Sequence, residues 1–257
     1  MIAEAANKLE KGMRTGGKTN KKQIKYTINL NELFPSSIAI YTEQQCLSED
    51  LTIPRAIMQS IDRAQDNVFV FDQGVRSRAK FIELDQNNYR FVTRLTTNAL
   101  HEVIKVNPVK KGVCVGNLQV ISDEIVLLYN RKNGKVEHPF RLLKTRNNKK
   151  ELWFLSNQFD LSVEEIIKIY RKRWDIEVFF RFLKQEMNIT HLISTNLNGI
   201  KIVLYMTLIA AMLIFVYKRL NDIGYKTAKR RFTMELDDMI SIILIKLCGG
   251  DPSLVFR

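Results

Sequence analysis

The sequence predicts an α/β fold with a β-rich segment inserted before its last helices. Two patterns carry this prediction. Up to about residue 97, short apolar runs alternate with helical patterns, whereas residues 98–150 contain short β runs separated by turn residues. From residue 151 onward, long helical patterns dominate. With 257 residues, of which 46% are apolar, the chain is long enough to bury a core.

The first part predicts strands and helices in alternation. Residues 23–30 and 37–42 have the composition of strands, and a helix follows that Ser48 or Asp50 would cap, with Pro54 in its first turn. Residues 67–71 form a short apolar run that ends at Asp72, and Gly74 permits a turn after it. A helix over 77–85 and a strand over 89–95 complete this part.

The β-rich part and the helices after it follow from turn and capping signals. Residues 112–121, 124–129 and 140–145 alternate as strands do, with Asn133-Gly134 as a hairpin turn. Ser162-Val163-Glu164-Glu165 is a capping box, which predicts the start of one long uninterrupted helix. The chain is thus divided into residues 1–97, 98–150, 151–220 and a helical extension, 221–257.

Polar side chains in the spacing Y-x2-R-x3-E-x6-K share one face of that long helix. At about 100° per residue, Tyr170, Arg173, Glu177 and Lys184 fall within a stripe roughly 60° wide. Trp174 and Arg181 lie at its edge, and apolar residues fill the remainder of the circumference. A solvated charged face would look similar, but it does not require this spacing.

The same residues closely resemble the signature of the YREK (insertion-sequence-4-like) group of DDE transposases, which bacterial insertion sequences encode. The resemblance extends over most of the chain and includes Leu9-Glu10-Lys11-Gly12-Met13 and Val70-Phe71-Asp72-Gln73-Gly74. It implies a ribonuclease-H-like catalytic core, with a mixed sheet flanked by helices, that cuts and joins DNA using carboxylates and Mg²⁺ or Mn²⁺. We refer to the helix that carries the YREK residues as the signature helix.

The resemblance assigns roles to individual residues. Asp72 and Glu177 become catalytic metal ligands, and Tyr170, Arg173 and Lys184 grip the DNA backbone near the cleaved phosphate. Trp174 could stack on an unpaired base, and Arg181 adds a cation to the same face. The implied partner is double-stranded DNA, both transposon ends and target, bound by a homodimer in a synaptic complex.

Two departures from the family pattern affect the expected activity. Gln73 stands where family members commonly carry arginine. The family's first catalytic aspartate precedes the stretch that matches Ile2-Ala3-Glu4, so we expect an N-terminally truncated transposase with impaired cleavage. Asp50, Asp62 and Asp66 lie on or beside a predicted helix and do not take its place.

Charge and composition agree with a polyanionic partner. The formal net charge is +13, and an early basic cluster that includes Lys18, Lys21 and Lys22 suits phosphate neutralisation. The three cysteines lie far apart and the three histidines have no ligand spacing, so zinc and disulfide frameworks are not expected. With no apolar export segment at the N-terminus, we expect a cytoplasmic, nucleoid-associated protein.

Three alternatives remain at the level of sequence. Residues 12–19 match the P-loop pattern, but a basic segment rather than an apolar strand precedes them, which disfavours an NTPase. The apolar stretch 202–217 is shorter than a bilayer requires and predicts a buried helix. A non-catalytic DNA-binding remnant of a transposase would have the same basic surface, and the sequence does not separate it from the enzyme.

Overall fold

The computed structural model describes residues 2–4, 9–14, 22–32, 34–60, 67–110, 112–130, 134–148, 150–191 and 194–256. Within them the strands are β1 (Ile2–Glu4), β2 (Met13–Arg14), β3 (Lys22–Asn31), β4 (Phe34–Tyr41), β5 (Val68–Phe71), β6 (Arg90–Leu95), β7 (His101–Asn107), β8 (Cys114–Val115), β9 (Leu118–Asn130), β10 (Gly134–Asn147) and β11 (Lys150–Ser156). The helices are α1 (Glu49–Met58), α2 (Arg78–Gln86), α3 (Val163–Arg171), α4 (Arg173–Gln185), α5 (Leu197–Asn221) and α6 (Tyr225–Leu247).

The chain forms two compact units. The first contains residues 11–177 with the first two residues, and the second contains residues 3–10 and 178–257. In the first unit, β3 pairs antiparallel with β4 and with β2 in the smaller of two sheets. The larger sheet has the order β5-β6-β11-β10-β9-β7, with β8 beside β9. Only β5 and β6 pair in parallel there, so the sheet is mixed, as the sequence predicts.

The period-two alternation along the strands of the large sheet gives it two apolar faces. Phe91, Leu142 and Leu155 point to the face that α1 and α2 cover through Ile57, Phe81 and Leu84. Their neighbours along the same strands, Val92, Leu143 and Phe154, point to the opposite face, which α3 covers through Ile166, Ile167 and Tyr170. The result is a mixed sheet flanked by helices, consistent with the expected ribonuclease-H-like fold.

The β-rich segment belongs to this same sheet, because β11 connects β10 to β6 through antiparallel pairing. Two expectations for it were wrong. The run 112–121 is not one strand, since it contains β8 and the start of β9. The run 124–129 is not a separate strand, since β9 continues through Ser122 and Asp123. Asp123 suggests a break, yet it is the buried ion-pair partner of Arg141. The sequence also missed β7 and β11, and residues 131–133 of the predicted turn lie outside the described residues.

The capping box at Ser162 is confirmed, but the signature helix is not continuous. The Ser162 hydroxyl accepts from the Glu165 amide at 3.2 Å, and the Glu165 carboxylate accepts from the Ser162 amide at 2.7 Å. At Lys172 the chain stays in the right-handed helical region but tightens to i→i+3 hydrogen bonds, which separates α3 from α4.

Helix α1 also differs from its prediction in detail. Pro54 lies inside the helix rather than in its first turn, because the helix already begins at Glu49. Ser48 occupies the N-cap position without a side-chain capping bond. Asp50 instead accepts hydrogen bonds from the amides of Arg76 and Ser77 at 2.5 and 2.7 Å. It therefore ties α1 to the loop that follows Asp72.

A buried arginine joins the sheet to the segment that precedes α3. Arg141 on β10 forms a two-point ion pair with Asp123 on β9, with N–O distances of 2.9 and 2.8 Å. Its remaining terminal nitrogen donates to the carbonyl oxygens of Gln158, Phe159 and Leu161. Both charged side chains are about 5% exposed, at 6% and 4%. The contact fixes where the chain leaves the sheet to begin α3.

Replacing Arg141 by methionine should therefore lower the free energy of unfolding by about 3–5 kcal/mol, since Asp123 would remain buried without a counter-ion. Urea denaturation measures this loss. The matched control is Arg146→Met, which removes a neighbouring arginine whose pair with Glu151 is half exposed, and which should cost less than about 1 kcal/mol. Equal losses in the two variants would contradict a structural role for the buried pair.

Candidate active site

Asp72 follows β5 at the carboxyl end of the one parallel strand pair in the described sheet. Its side chain is exposed, and its Oδ1 accepts the amide N–H of Gln73 at 2.9 Å. The hydroxyl of buried Thr93 on β6 donates to the Asp72 carbonyl oxygen at 3.3 Å. Hydrogen bonds to its side chain and to its carbonyl oxygen therefore fix Asp72 at the end of β5, while the carboxylate remains exposed to solvent. This is the placement that the sequence predicts.

Tyr170 connects helix α3 to this carboxylate. Its hydroxyl donates to Asp72 Oδ1 at 3.3 Å, and its ring lies 4.9 Å from the ring of Phe154 on β11. Burial raises the pKa of Tyr170 to about 12, and the negative charge of Asp72 adds to the rise. The hydroxyl, which any tyrosine keeps protonated near neutral pH, therefore remains a donor to Asp72 well into the alkaline range.

Arg173 and Glu177 occupy the first turns of α4 and form an ion pair. Arg173 Nη1 lies 2.5 Å from Glu177 Oε1, and its guanidinium lies 5.4 Å from the centre of the Tyr170 ring. Burial alone would lower the pKa of Arg173, but the hydrogen bond to Glu177 and the nearby Tyr170 and Asp72 outweigh it and raise the pKa. Both carboxylates, Asp72 and Glu177, thus act on the same cation.

The sequence reading missed a second cation beside this group. Phe71 on β5 is paired with Thr93 on β6 in the parallel register. Asp72 follows Phe71 and Arg94 follows Thr93, so the two residues are at equivalent positions of neighbouring strands. Arg94 on β6 is the pairing partner of Phe154 on β11, the residue that packs on Tyr170. The positive charge of Arg94 opposes the rise of the Tyr170 pKa. Strand alternation from Val92 places Arg94 on the α3 side, and this was the signal available in the sequence.

Both arginines have an unused donor in this region. Within the described residues, Nε of Arg94 and Nε of Arg173 are buried without a hydrogen-bond partner. A buried donor without a partner costs free energy, so such a group in a folded protein calls for a ligand or a structural explanation. Guanidinium groups match the oxygens of phosphate in shape and charge. Arg94 and Arg173 thus bring two guanidinium groups to the surroundings of Tyr170, and their charges both oppose the rise of its pKa.

The other predicted site residues are exposed, half-buried or outside the described residues. Trp174, Arg181 and Lys184 are exposed on α4, with Trp174 at 58% exposure. Lys22 is half-buried on β3, whereas Lys18 and Lys21 lie outside the described residues. Of the P-loop-like segment, Met13 and Arg14 lie in strand β2, and residues 15–19 also lie outside.

Carboxylates of the type that hold a divalent metal ion are present at the end of β5 and on α4. Carboxylate oxygens are the ligands that Mg²⁺ prefers, and Mg²⁺ is commonly held by one or two carboxylates together with substrate phosphates and water. Asp72 and Glu177 are two such carboxylates, and both act on Arg173. Among the described residues, no group of three His, Cys, Asp or Glu side chains is arranged to hold a metal ion. Completing the coordination shell would thus require other ligands.

Comparison with known proteins identifies the family. A family model for the transposase DDE domain matches residues 7–213. The chain belongs to the DDE transposase family. Among its relatives, "Putative transposase y4zB" of Sinorhizobium fredii is 28% identical over 156 residues, covering 60% of this chain and 44% of that protein. The transposase described as "Putative transposase for insertion sequence element IS4SA" of Synechocystis is 28% identical over 160 residues, which is 61% of this chain and 43% of that protein.

A third relative, "Probable transposase for insertion sequence element IS5377" of Geobacillus stearothermophilus, is 36% identical over 72 residues, covering 28% of this chain and 18% of that protein. The aligned segments span less than half the length of all three relatives. The transposase family is therefore established for this chain, whereas the activity, DNA sites and assembly of a whole transposase belong to the proposals below.

The raised pKa of Tyr170 makes the free energy of unfolding decrease at alkaline pH. Since its folded-state pKa is raised, the unfolded chain loses the tyrosine proton first, so this stabilisation is complete below about pH 10 and is lost as pH rises toward about 12. Tyr170→Phe should reduce the loss of unfolding free energy between pH 9 and 11.5 by up to about 2 kcal/mol. Urea denaturation across this range measures it. Identical pH dependence in wild type and variant would contradict the buried, Asp72-linked hydroxyl.

Proposed function

We propose that the chain is a transposase of the YREK group that cleaves and joins DNA at insertion-sequence ends, with Asp72 and Glu177 as its catalytic carboxylates. The observation that carries the proposal is the hydrogen bond from Tyr170 to Asp72. It links a residue of the YREK pattern to the carboxylate at the end of β5, although 98 positions separate them in the sequence. Arg173, paired with Glu177, extends the same network.

In this proposal, Asp72 and Glu177 hold Mg²⁺ or Mn²⁺. When bound, the metal would activate the attacking oxygen and neutralise charge on the leaving oxygen of the phosphodiester. Tyr170 orients the Asp72 carboxylate by donating a hydrogen bond to Oδ1. Arg173 holds Glu177 in place by their ion pair and would share that carboxylate with the metal.

The cations around the carboxylates would position the DNA backbone. Arg94 and Arg173 are cations that act on Tyr170 beside Asp72, and guanidinium groups match the oxygens of phosphate. Lys184 and Arg181, further along α4, are exposed and available to neighbouring phosphates, and Trp174 is exposed enough to stack on an unpaired base. Arg94 offers the cation that Gln73 does not supply. The proposed partners are double-stranded DNA and a second transposase subunit, in a cytoplasmic, nucleoid-associated complex.

A non-catalytic DNA binder is the second candidate function. It is favoured by the arrangement of the carboxylates, since only Asp72 and Glu177 among the described residues act on the same cation and no third carboxylate completes a metal group with them. The two candidates share the DNA-binding surface and differ in one measurable property, metal-dependent cleavage.

Cleavage of a plasmid that carries the element's own ends separates the candidates. With Mg²⁺ or Mn²⁺, the enzyme proposal expects nicked product, and Asp72→Asn or Glu177→Gln should reduce its rate by about a hundredfold or more, because each removes a metal ligand. Gel-shift binding to the same DNA should persist in both variants. The matched control is Asp175→Asn, an exposed carboxylate on the same helix that should leave the rate unchanged.

Binding without cleavage by the wild-type chain would instead support the non-catalytic DNA binder. Cleavage that survives both Asp72→Asn and Glu177→Gln would contradict the assignment of these two residues, and loss of binding in both would indicate that they act through folding rather than through metal.

A further inference from the structure

The turn that joins α5 to α6 lies among basic residues. Both helices belong to the second compact unit, and only residues 222–224 separate them. From residue 216 to residue 234 the chain carries six cations against one acid, which leaves a net charge of +5 out of the +13 of the whole chain. The cations are Lys218, Arg219, Lys226, Lys229, Arg230 and Arg231, and the acid is Asp222.

Two of these cations have partners within the same unit. Lys218 Nζ lies 5.2 Å from the centre of the Tyr225 ring. Lys229 Nζ lies 3.5 Å from Glu186 Oε2 and also donates to the Glu186 carbonyl oxygen. The remaining four cations are exposed, and none of them forms an ion pair with a described carboxylate. We refer to these four as the basic corner: Arg219, Lys226, Arg230 and Arg231.

The stability of the helices does not explain the basic corner. Arg219 lies in the last turn of α5, where a cation is favourable, but the first turns of a helix disfavour cations. Helix α6 nevertheless begins with Lys226 and has no acidic residue in its first turn. Lys226 and Arg230 are also like charges four positions apart on one helix face, which is unfavourable. A bound polyanion would offset this repulsion.

The dimensions of the basic corner match a short stretch of duplex DNA. At 1.5 Å per residue, all four cations lie within about 11 Å of Gly224 along the helix axes. Duplex DNA carries one negative charge per about 1.7 Å of its axis, so a stretch of that length holds about six phosphates. Contacts between basic side chains and phosphates carry no sequence information. The basic corner therefore suits the backbone of a duplex of any sequence.

An anionic lipid surface also presents phosphates, and α5 is the reason to consider one. By length and composition α5 would be able to cross a membrane, although such a helix often belongs to a protein core. The prediction of a buried helix over 202–217 is correct for one side only, since Leu204 and Leu208 are buried while Met206 and Leu213 are exposed. Because the chain belongs to a transposase family, which implies a DNA substrate, DNA is the favoured polyanion.

We propose that the basic corner binds the phosphate backbone of duplex DNA without sequence preference, in addition to the residues assigned to cleavage. Tyr170, Arg173 and Glu177 belong to the first compact unit, and the basic corner belongs to the second. The choice of DNA as the polyanion rests on the proposed function. The contact itself needs neither metal nor element ends, so its test can fail while the proposed cleavage stands, and the reverse.

Fluorescence anisotropy of the full chain with a short duplex of random sequence, without divalent metal, tests the proposal. Lys226→Gln/Arg230→Gln removes two cations, and each lost phosphate contact lowers the slope of log affinity against log salt by about 0.9. Between about 50 and 200 mM KCl, the affinity of the wild type should therefore fall about twelvefold more than that of the variant. Lys226→Arg/Arg230→Lys keeps both charges and should retain the wild-type slope.

The matched control is Lys201→Gln/Lys246→Gln. It removes two exposed lysines from the ends of α5 and α6 that lie away from their connecting turn, so the net charge is the same but the slope should stay that of the wild type. Circular dichroism checks that all variants keep their helix content. An unchanged slope in Lys226→Gln/Arg230→Gln, or equal losses in the two double variants, would overturn the proposal.

Vesicles that contain phosphatidylserine separate lipid from DNA. The proposal expects the wild type to stay in solution when the vesicles are sedimented. Sedimentation of the wild type that is lost in Lys226→Gln/Arg230→Gln, with the salt dependence of DNA binding unchanged in that variant, would overturn the proposal, since the basic corner would then bind lipid headgroups.

Discussion

The hydrogen bond between the Tyr170 hydroxyl and the Asp72 carboxylate is the contact on which the proposed site depends. It joins the exposed end of β5 to a helix from a distant part of the chain. The Tyr170 ring packs on Phe154 of β11, which fixes the position of the Tyr170 hydroxyl relative to the sheet. Burial and the charge of Asp72 raise the pKa of Tyr170, so the hydroxyl stays protonated well into the alkaline range. Arg173, and through it Glu177, is placed against the same ring.

The β-rich segment contributes none of the proposed catalytic side chains, yet it determines where they lie. Arg141 binds Asp123 inside this segment and also holds the carbonyl oxygens of the loop that leads to Ser162. The capping box then begins α3 at a defined point, two turns before Tyr170. At the other end of α3, Arg171 donates to Asn117 in the turn between β8 and β9. Contacts with the sheet therefore fix the position of α3 at both of its ends.

Local signals in the sequence predicted much of the core correctly. The apolar run before Asp72, the turn at Gly74 and the capping box at Ser162 each act within a few residues, and the structure contains all three elements. The misses have long-range causes. Asp123 suggests a strand break in the sequence, because its ion-pair partner Arg141 lies 18 positions away on β10. Strand alternation indicates the face of Arg94, but its position next to the end of β5 depends on the parallel register of β5 with β6, which the local pattern does not show.

The proposed site requires Asp72 and Glu177 to bind one metal ion, although they are 105 positions apart in the sequence. Substituting Fe²⁺ for Mg²⁺ and adding ascorbate and peroxide generates hydroxyl radicals that cut the backbone next to the bound iron, since Fe²⁺ accepts carboxylate ligands. Mass spectrometry of the fragments should show cuts beside both residues, and excess Mg²⁺ should suppress both together. Cuts at one residue alone, or cuts that Mg²⁺ does not suppress, would contradict a shared metal site.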